Sequence, residues 1–242
     1  WNRTGGGLMA ELGSHQLDAA GIFISAMHGK GKKVKPLTVT AVGNRSIFPD
    51  DREVDDHVYC MFEYPAPDYA ENPNKKIVVT YSSINGNGFG GYGEVVMGTE
   101  GTLILEQEQN VMLYKGSSRD TRVTVAKSKS GEAVLDTTES GGAGSVAAVS
   151  TESSGKAPPS RGYTEEMEHW AWCIRNPDSA NQPRCKPEVA IADAVIALVS
   201  NVALKNVDGQ PRVDFKEEWF DIESDATPEG IKPNLQREQY KM

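Results

Sequence analysis

The chain has 242 residues, 38% of them hydrophobic and 24% charged, and a formal net charge of -9 at pH 7. That size suits one large domain or two small ones, and the acidic balance argues against nucleic acid and anionic membranes as partners. Three cysteines, Cys60, Cys173 and Cys185, with no Cys-x-x-Cys pair, argue for free thiols over a disulfide scaffold or a structural zinc site. No apolar run reads as long enough to cross a bilayer. The chain opens on Trp1 without an initiator Met, signal or transit sequence, so it is expected to be a piece of a longer protein. The cytoplasm is the expected compartment, with export of the parent left open.

In chain order, Leu8 to about Met27 reads as a helix ended by Gly29 and Gly31, with Leu8, Leu12, Ala19, Ile22 and Phe23 available for a core. Lys30, Lys32, Lys33 and Lys35 form the one basic cluster and read as a solvated turn after it. Alternating, β-branched segments follow at 37–42, 56–64, 76–84, 94–98, 102–107, 110–115 and 122–127. Turn signals and no helix separate them, which predicts an antiparallel meander. From about 127 to 161 Ser, Gly, Ala, Thr and Glu dominate, which predicts an exposed loop with at most a short strand at Val134-Leu135.

Two helices come next. Thr164 is the expected N-cap of the first, ahead of Glu165 and Glu166, with Met167, Trp170, Ala171 and Ile174 as its apolar stripe. Pro187 opens the second, which is apolar around much of its circumference and therefore reads as buried. Val213 to Phe215 reads as a last strand. The expected fold class is α+β: one large, mostly antiparallel open sheet with helices packed on one face. The expected organisation is a single domain over 1–242 with a Ser/Gly-rich insertion at about 127–161.

The chemistry-bearing stretch is Thr4 to Asp18, TGGGLMAELGSHQLD. Residues four and seven apart share a helix face, so Glu11, His15 and Asp18 would line one side. A His beside a carboxylate can act as a general base near neutral pH, although most such pairs are solvated helix faces. Three metal ligands could be drawn from the same residues, but no His-rich partner motif occurs, so no metal is expected. A second motif, Gly86 to Gly91, matches G-x-G-x-x-G. Its context is wrong for a dinucleotide cradle, because a strand-like segment follows where a helix is required. It reads as a Gly-rich hairpin loop.

The order of elements and the first motif together resemble the C-terminal domain of the glucose–fructose oxidoreductase, inositol dehydrogenase and MocA family. The residues that carry the resemblance are Gly6, Gly7, Glu11, Gly13, His15 and Asp18, the hairpin Val95 to Leu105, and the late helix pair. It covers nearly the whole chain except the Ser/Gly-rich segment. Two departures stand out: Glu11 replaces the family's usual Asp, and the family's N-terminal Rossmann domain, with its Glu-Lys-Pro segment, does not occur in this sequence.

The resemblance implies a substrate-binding and oligomerisation domain of an oxidoreductase acting on a sugar, polyol or related hydroxyl compound. NAD or NADP would be bound mainly by the nucleotide domain, so this chain alone is expected to be inactive. His15 would remove the hydroxyl proton and Glu11 would orient the imidazole or substrate. Arg3 and Asp18 would contact substrate, or serve as a surface ion pair and a buttress of the helix. A homo-oligomer through the open sheet face is expected. Alternatives are an NAD-dependent glycosidase of the same family, and a non-catalytic oligomerisation or binding domain. The fold itself does not fix the substrate.

Overall fold

The structure is a computed structural model that describes residues 5–29, 33–86, 91–106, 110–115, 124–127, 133–136, 162–205 and 209–230. Its contacts divide the chain into two compact units, Trp1–Gly88 with Asn176–Met242, and Phe89–Arg175. The α+β class is as expected.

In the first unit a π-helical turn, Met9–Gly13, runs into α1, Ser14–Met27. Strands β1 (Thr38–Asn44), β2 (His57–Pro65) and β3 (Lys76–Ile84) follow. In the second unit the strands are β4 (Gly93–Met97), β5 (Gly101–Glu106), β6 (Asn110–Lys115), β7 (Thr124–Lys127) and β8 (Ala133–Asp136), followed by α2 (Tyr163–Arg175). The chain then returns to the first unit with α3 (Pro187–Leu204), β9 (Arg212–Asp214) and a 3-10 turn, Glu217–Phe220. Where one large sheet is expected, the described strands pair in three antiparallel ladders. Their orders are β3-β2-β1-β9, β4-β5-β6 and β7-β8. The Ser/Gly-rich segment lies outside the described residues apart from β7's end and β8.

The four-stranded sheet is one-sided. In β2 the residues Val58, Cys60, Phe62 and Tyr64 are buried, as their alternation predicts, while Tyr59 and Met61 between them are exposed. Register aligns Val39 with Phe62, and Phe62 with Val79, so one inner row crosses three strands. Burying a side chain of that size contributes about 1.5–3 kcal/mol, which makes this row a principal source of stability. Helices α1 and α3 cover the inner face, with Leu17, Ile24, Ile196 and Val199 in one core with it.

α3 starts as its sequence dictates. Lys186 is extended at the N-cap and Pro187 takes the first turn, where its missing N–H is harmless. Its buried residues, Ala192, Ile196, Val199 and Ala203, recur at four, three and four. One expectation is corrected: by length and composition α3 is apolar enough to cross a bilayer. It packs here against β1 and α1 as the core helix of this unit. A second correction concerns α2. The helix begins at Tyr163, and the Gly162 carbonyl accepts the Glu166 N–H at 2.9 Å, so Thr164 lies inside the first turn. Gly162 has φ +88°, a conformation open to Gly and strained for Thr.

The β1–β2 connection is closed by one carboxylate. Asp56, fully buried, accepts the backbone N–H groups of Ser46 (3.0 Å), Ile47 (2.7 Å) and Phe48 (2.6 Å), and pairs with His57 Nδ1. Burial opposes its charge, but the amide bonds and His57 outweigh that and hold it well below the usual carboxylate range. A depressed folded-state pKa means stability that is present above the unfolded value and lost as pH falls through the folded one. Asp56→Asn is therefore expected to lower the urea midpoint at pH 7. The gap to the parent chain should close progressively as pH falls below the ordinary Asp value of 3.8. A gap that is constant from pH 7 to pH 2 would show that the carboxylate's charge is not what holds the loop.

Candidate active-site helix

Three glycines at the start of the helix have separate physical tasks. Gly7 has φ +68°, so it can turn the chain into the helix where an L side chain is strained. The Gly6 carbonyl accepts the Asn201 Nδ2–H of α3 at 2.7 Å, anchoring the helix start. At Gly13 an added Cβ would lie 3.2 Å from Tyr81 Cε1 of β3 and 3.3 Å from the Met9 Cε methyl. Gly13 is therefore a point of close approach between the helix and the sheet.

The π turn re-phases the helix. Its i→i+5 bonds widen the turn, so residues four apart stack more directly than the 3.6-residue repeat allows. The buried row is Met9, Gly13, Leu17, Gly21 and Ile24. This corrects the apolar side read from the sequence: Leu8 is buried as expected, but Leu12 and Ile22 are 52% and 57% exposed. Glu11 and His15, also four apart, are both exposed on the side turned away from the sheet. The Glu11 carboxylate lies back over Gly5, where an added Cβ would meet Oε1 at 2.8 Å. Arg3 lies outside the described residues.

Asp18 has a partner that the sequence reading missed. Lys33 Nζ donates to Asp18 Oδ1 at 2.5 Å and lies 2.9 Å from Asp193 Oδ1 of α3. The solvated turn expected for the lysines is thus corrected at Lys33, whose side chain is only 15% exposed. Burial opposes its charge, yet the two carboxylates outweigh that and hold the ammonium above the ordinary lysine range. Burial lifts the Asp193 carboxyl above its ordinary range, and the charge of Asp18 adds to this against the pull of Lys33. One cation is shared by two carboxylates. Tyr64, fully buried, has a hydroxyl without a hydrogen-bond partner among the described residues. Burial and the charges of Asp193 and Asp18 push its pKa up.

The other candidates do not form a second site. Gly86 precedes residues 87–90 of the G-x-G-x-x-G match, which lie outside the described residues, and β4 follows where a nucleotide fold would need a helix. Among the described residues no group of three potential metal ligands converges. The cysteines are free thiols, and burial pushes the Cys60 thiol up to about 12, leaving it protonated beside Met9 Sδ. In α2, His169 stacks on Trp172 with ring centroids 6.3 Å apart and has Nε2 3.8 Å from Cys173 Sγ, a packing arrangement within one helix. A cavity of about 170 Å³ adjoins the glycine lead-in, lined by Gly6, Gly7, Arg45, Asp55 and Lys205 among others.

No protein-family model and no curated protein sequence matches the chain. Solved structures do resemble it. An oxidoreductase from Sinorhizobium meliloti superposes with a TM-score of 0.51 at 14% identity, over 86% of this chain and 53% of its own. An NAD-binding oxidoreductase from Klebsiella pneumoniae gives a TM-score of 0.50 at 16% identity, over 86% of this chain and 50% of its own. At these identities the likeness concerns the fold. The chain spans about half the length of the solved structures it matches.

The left-handed glycine gives a direct test of how the helix is launched. Gly7→Ala is expected to cost about 1–2 kcal/mol, read as a lower urea midpoint at unchanged slope. Gly29→Ala, also at positive φ but with open space around it, serves as the comparison. If Gly7→Ala melts like the parent chain, the helix does not depend on that turn.

Proposed function

We propose that this chain is the substrate-side half of an NAD(P)-dependent oxidoreductase of the glucose–fructose oxidoreductase, inositol dehydrogenase and MocA type, acting on a hydroxyl group of a sugar or polyol. The observation that carries the reading is the outward face of the motif helix. It presents Glu11 and His15 together, with Leu12 and Ile22 exposed alongside them. Large apolar groups left uncovered on a helix that also bears an imidazole and a carboxylate suit a face completed by another surface. Half-length matching to oxidoreductase folds supports the same reading.

The described residues offer no phosphate cradle, so the dinucleotide would be held mainly by the nucleotide domain, with the motif helix facing its reactive end. The nicotinamide, when bound, supplies the hydride acceptor. In this chain the His15 imidazole takes the proton of the substrate hydroxyl as the C–H bond breaks. Glu11 sits one turn earlier on the same face, and a rotamer that swings its carboxylate from Gly5 toward His15 would stabilise the imidazolium that forms. Exposed Leu12 and Ile22 would exclude water from the contact with the dinucleotide. Loss of a general base typically costs 10²–10⁴ in rate. In the complete protein His15→Ala is therefore expected to lower kcat by about that factor while leaving NAD(P) affinity within twofold. Unchanged turnover would remove His15 from the mechanism.

We also propose that the outer face of the four-stranded sheet is a self-association surface. Val42, Tyr59, Met61, Val78 and Ile84 are 62%, 47%, 47%, 56% and 51% exposed on it. Register places Val42 against Tyr59, and Met61 against Thr80. At one end Glu63 pairs with Lys76 and Arg212, so the apolar area has a charged rim. Sedimentation is expected to give a dimer or higher oligomer that Tyr59→Asp with Met61→Lys converts to monomers with unchanged helix content. A parent chain that stays monomeric at 100-fold rising concentration would rule this surface out.

A further inference from the structure

The motif helix is held to α3 at two places, one on each side of His15. At its start the Asn201 amide donates to the Gly6 carbonyl at 2.7 Å. Past His15, Lys33 ties Asp18 of α1 to Asp193 of α3, with N–O distances of 2.5 and 2.9 Å. Asn201 and Asp193 are eight residues apart, about 12 Å along α3, so the two ties are separate points and not one contact. Two ties on one partner helix limit rotation of the motif helix about its own axis as well as splaying from α3. The buried row of the motif helix packs on the sheet at Gly13, where an added Cβ would lie 3.2 Å from Tyr81 Cε1, but at Gly21 it faces the bridge itself, with an added Cβ 3.5 Å from Lys33 Nζ.

The second tie depends on the cation. Asp18 and Asp193 face each other across the α1–α3 seam, and Asp193 is 17% exposed. Without Lys33 two carboxylates would confront each other beside a buried phenol, Tyr64, that has no partner among the described residues. Like charges in a partly desolvated seam repel, and the helices would part at this end. Lys33 comes from the segment that follows α1 directly. That return is itself fixed, since Ser25 Oγ accepts the Val34 N–H at 2.9 Å.

We propose that Lys33 is a positioning residue for His15: by bridging Asp18 and Asp193 it sets the rotation of the motif helix and so the direction in which the imidazole is presented. This rests on the reading of His15 as the base, and the two fail separately. The test is amide hydrogen exchange across Ser14–Met27 in the complete protein. Lys33→Met is expected to raise exchange there about tenfold while that of β1–β3 stays the same, and Lys33→Arg, which can still span both carboxylates, is expected to restore it. Asp18→Asn should loosen the same helix by removing the other side of the bridge. It also covers the case in which Lys33→Met unfolds altogether.

In turnover, Lys33→Met should lower kcat about tenfold with little change in KM for the dinucleotide, and Lys33→Arg should recover most of it. Unchanged exchange in both Lys33→Met and Asp18→Asn would overturn the proposal, as would loosened exchange with full kcat while His15→Ala is inactive. If His15→Ala is itself fully active, the function reading has failed, and exchange alone then decides whether the bridge exists.

Discussion

The packing of α3 against both β1 and α1 is the constraint on which the first unit depends. A helix lying between a sheet and a second helix must bury two sides, so it cannot be strongly amphipathic, and Pro187–Leu204 is apolar accordingly. Alanines at 192, 197 and 203 keep the approach close, and Ile196 and Val199 fill the volume between sheet and helix. The polar residues on the packed sides of α3 have partners. Ser200 bonds back to the Ile196 carbonyl at 2.8 Å, Asn201 reaches Gly6, and Asp193 reaches Lys33. The same helix that closes the core thereby supplies the anchors of the motif helix.

Two buried or half-buried aspartates show how differently one residue type can be used. Asp56 is satisfied locally: three amides within a dozen residues and the adjacent His57 consume its lone pairs, so its charge is stabilised and its loop fixed. Asp193 Oδ1 has no hydrogen-bond partner among the described residues and is compensated only by an ion pair with the cation that it shares with Asp18, and burial leaves its charge disfavoured. The first arrangement stabilises one connection. The second couples elements distant in sequence, and its strength changes when any one member changes.

Strands were the most legible part of the sequence because one-sided burial writes period two directly into it. The alternation from Val58 to Tyr64 matches the buried row residue for residue, and β3 occupies its expected span. The phase of the motif helix was not legible. A π turn widens Met9–Gly13 without any mark in the composition, and at 3.6 residues per turn the row Met9, Gly13, Leu17, Gly21 and Ile24 is as regular a face as the one holding Leu12 and Ile22, so counting does not choose the buried side. Glu11 and His15 keep their common side only because a four-residue spacing survives that widening. Lys33 was missed for a different reason. A lysine in a basic run normally stays in water, and its two acids lie 15 residues before it and 160 after it, a convergence that only the folded chain displays.

The layering separates two exposed surfaces. On one side of the four-stranded sheet lies an apolar outer face with a charged rim. On the other, beyond the core, lies the motif helix with Leu12, Ile22, Glu11 and His15 turned outward. On the proposed reading the first is completed by another copy and the second by the nucleotide domain. Between them lies a core of close-packed side chains, Met9 and Gly13 against Cys60 and Tyr81, and interiors packed this closely transmit strain. The helix has polar ties as well on the α3 side, from Asn201 to Gly6 and through Lys33 to Asp193. On the proposed reading the setting of the imidazole then depends on α3 and Lys33 as well as on the sheet.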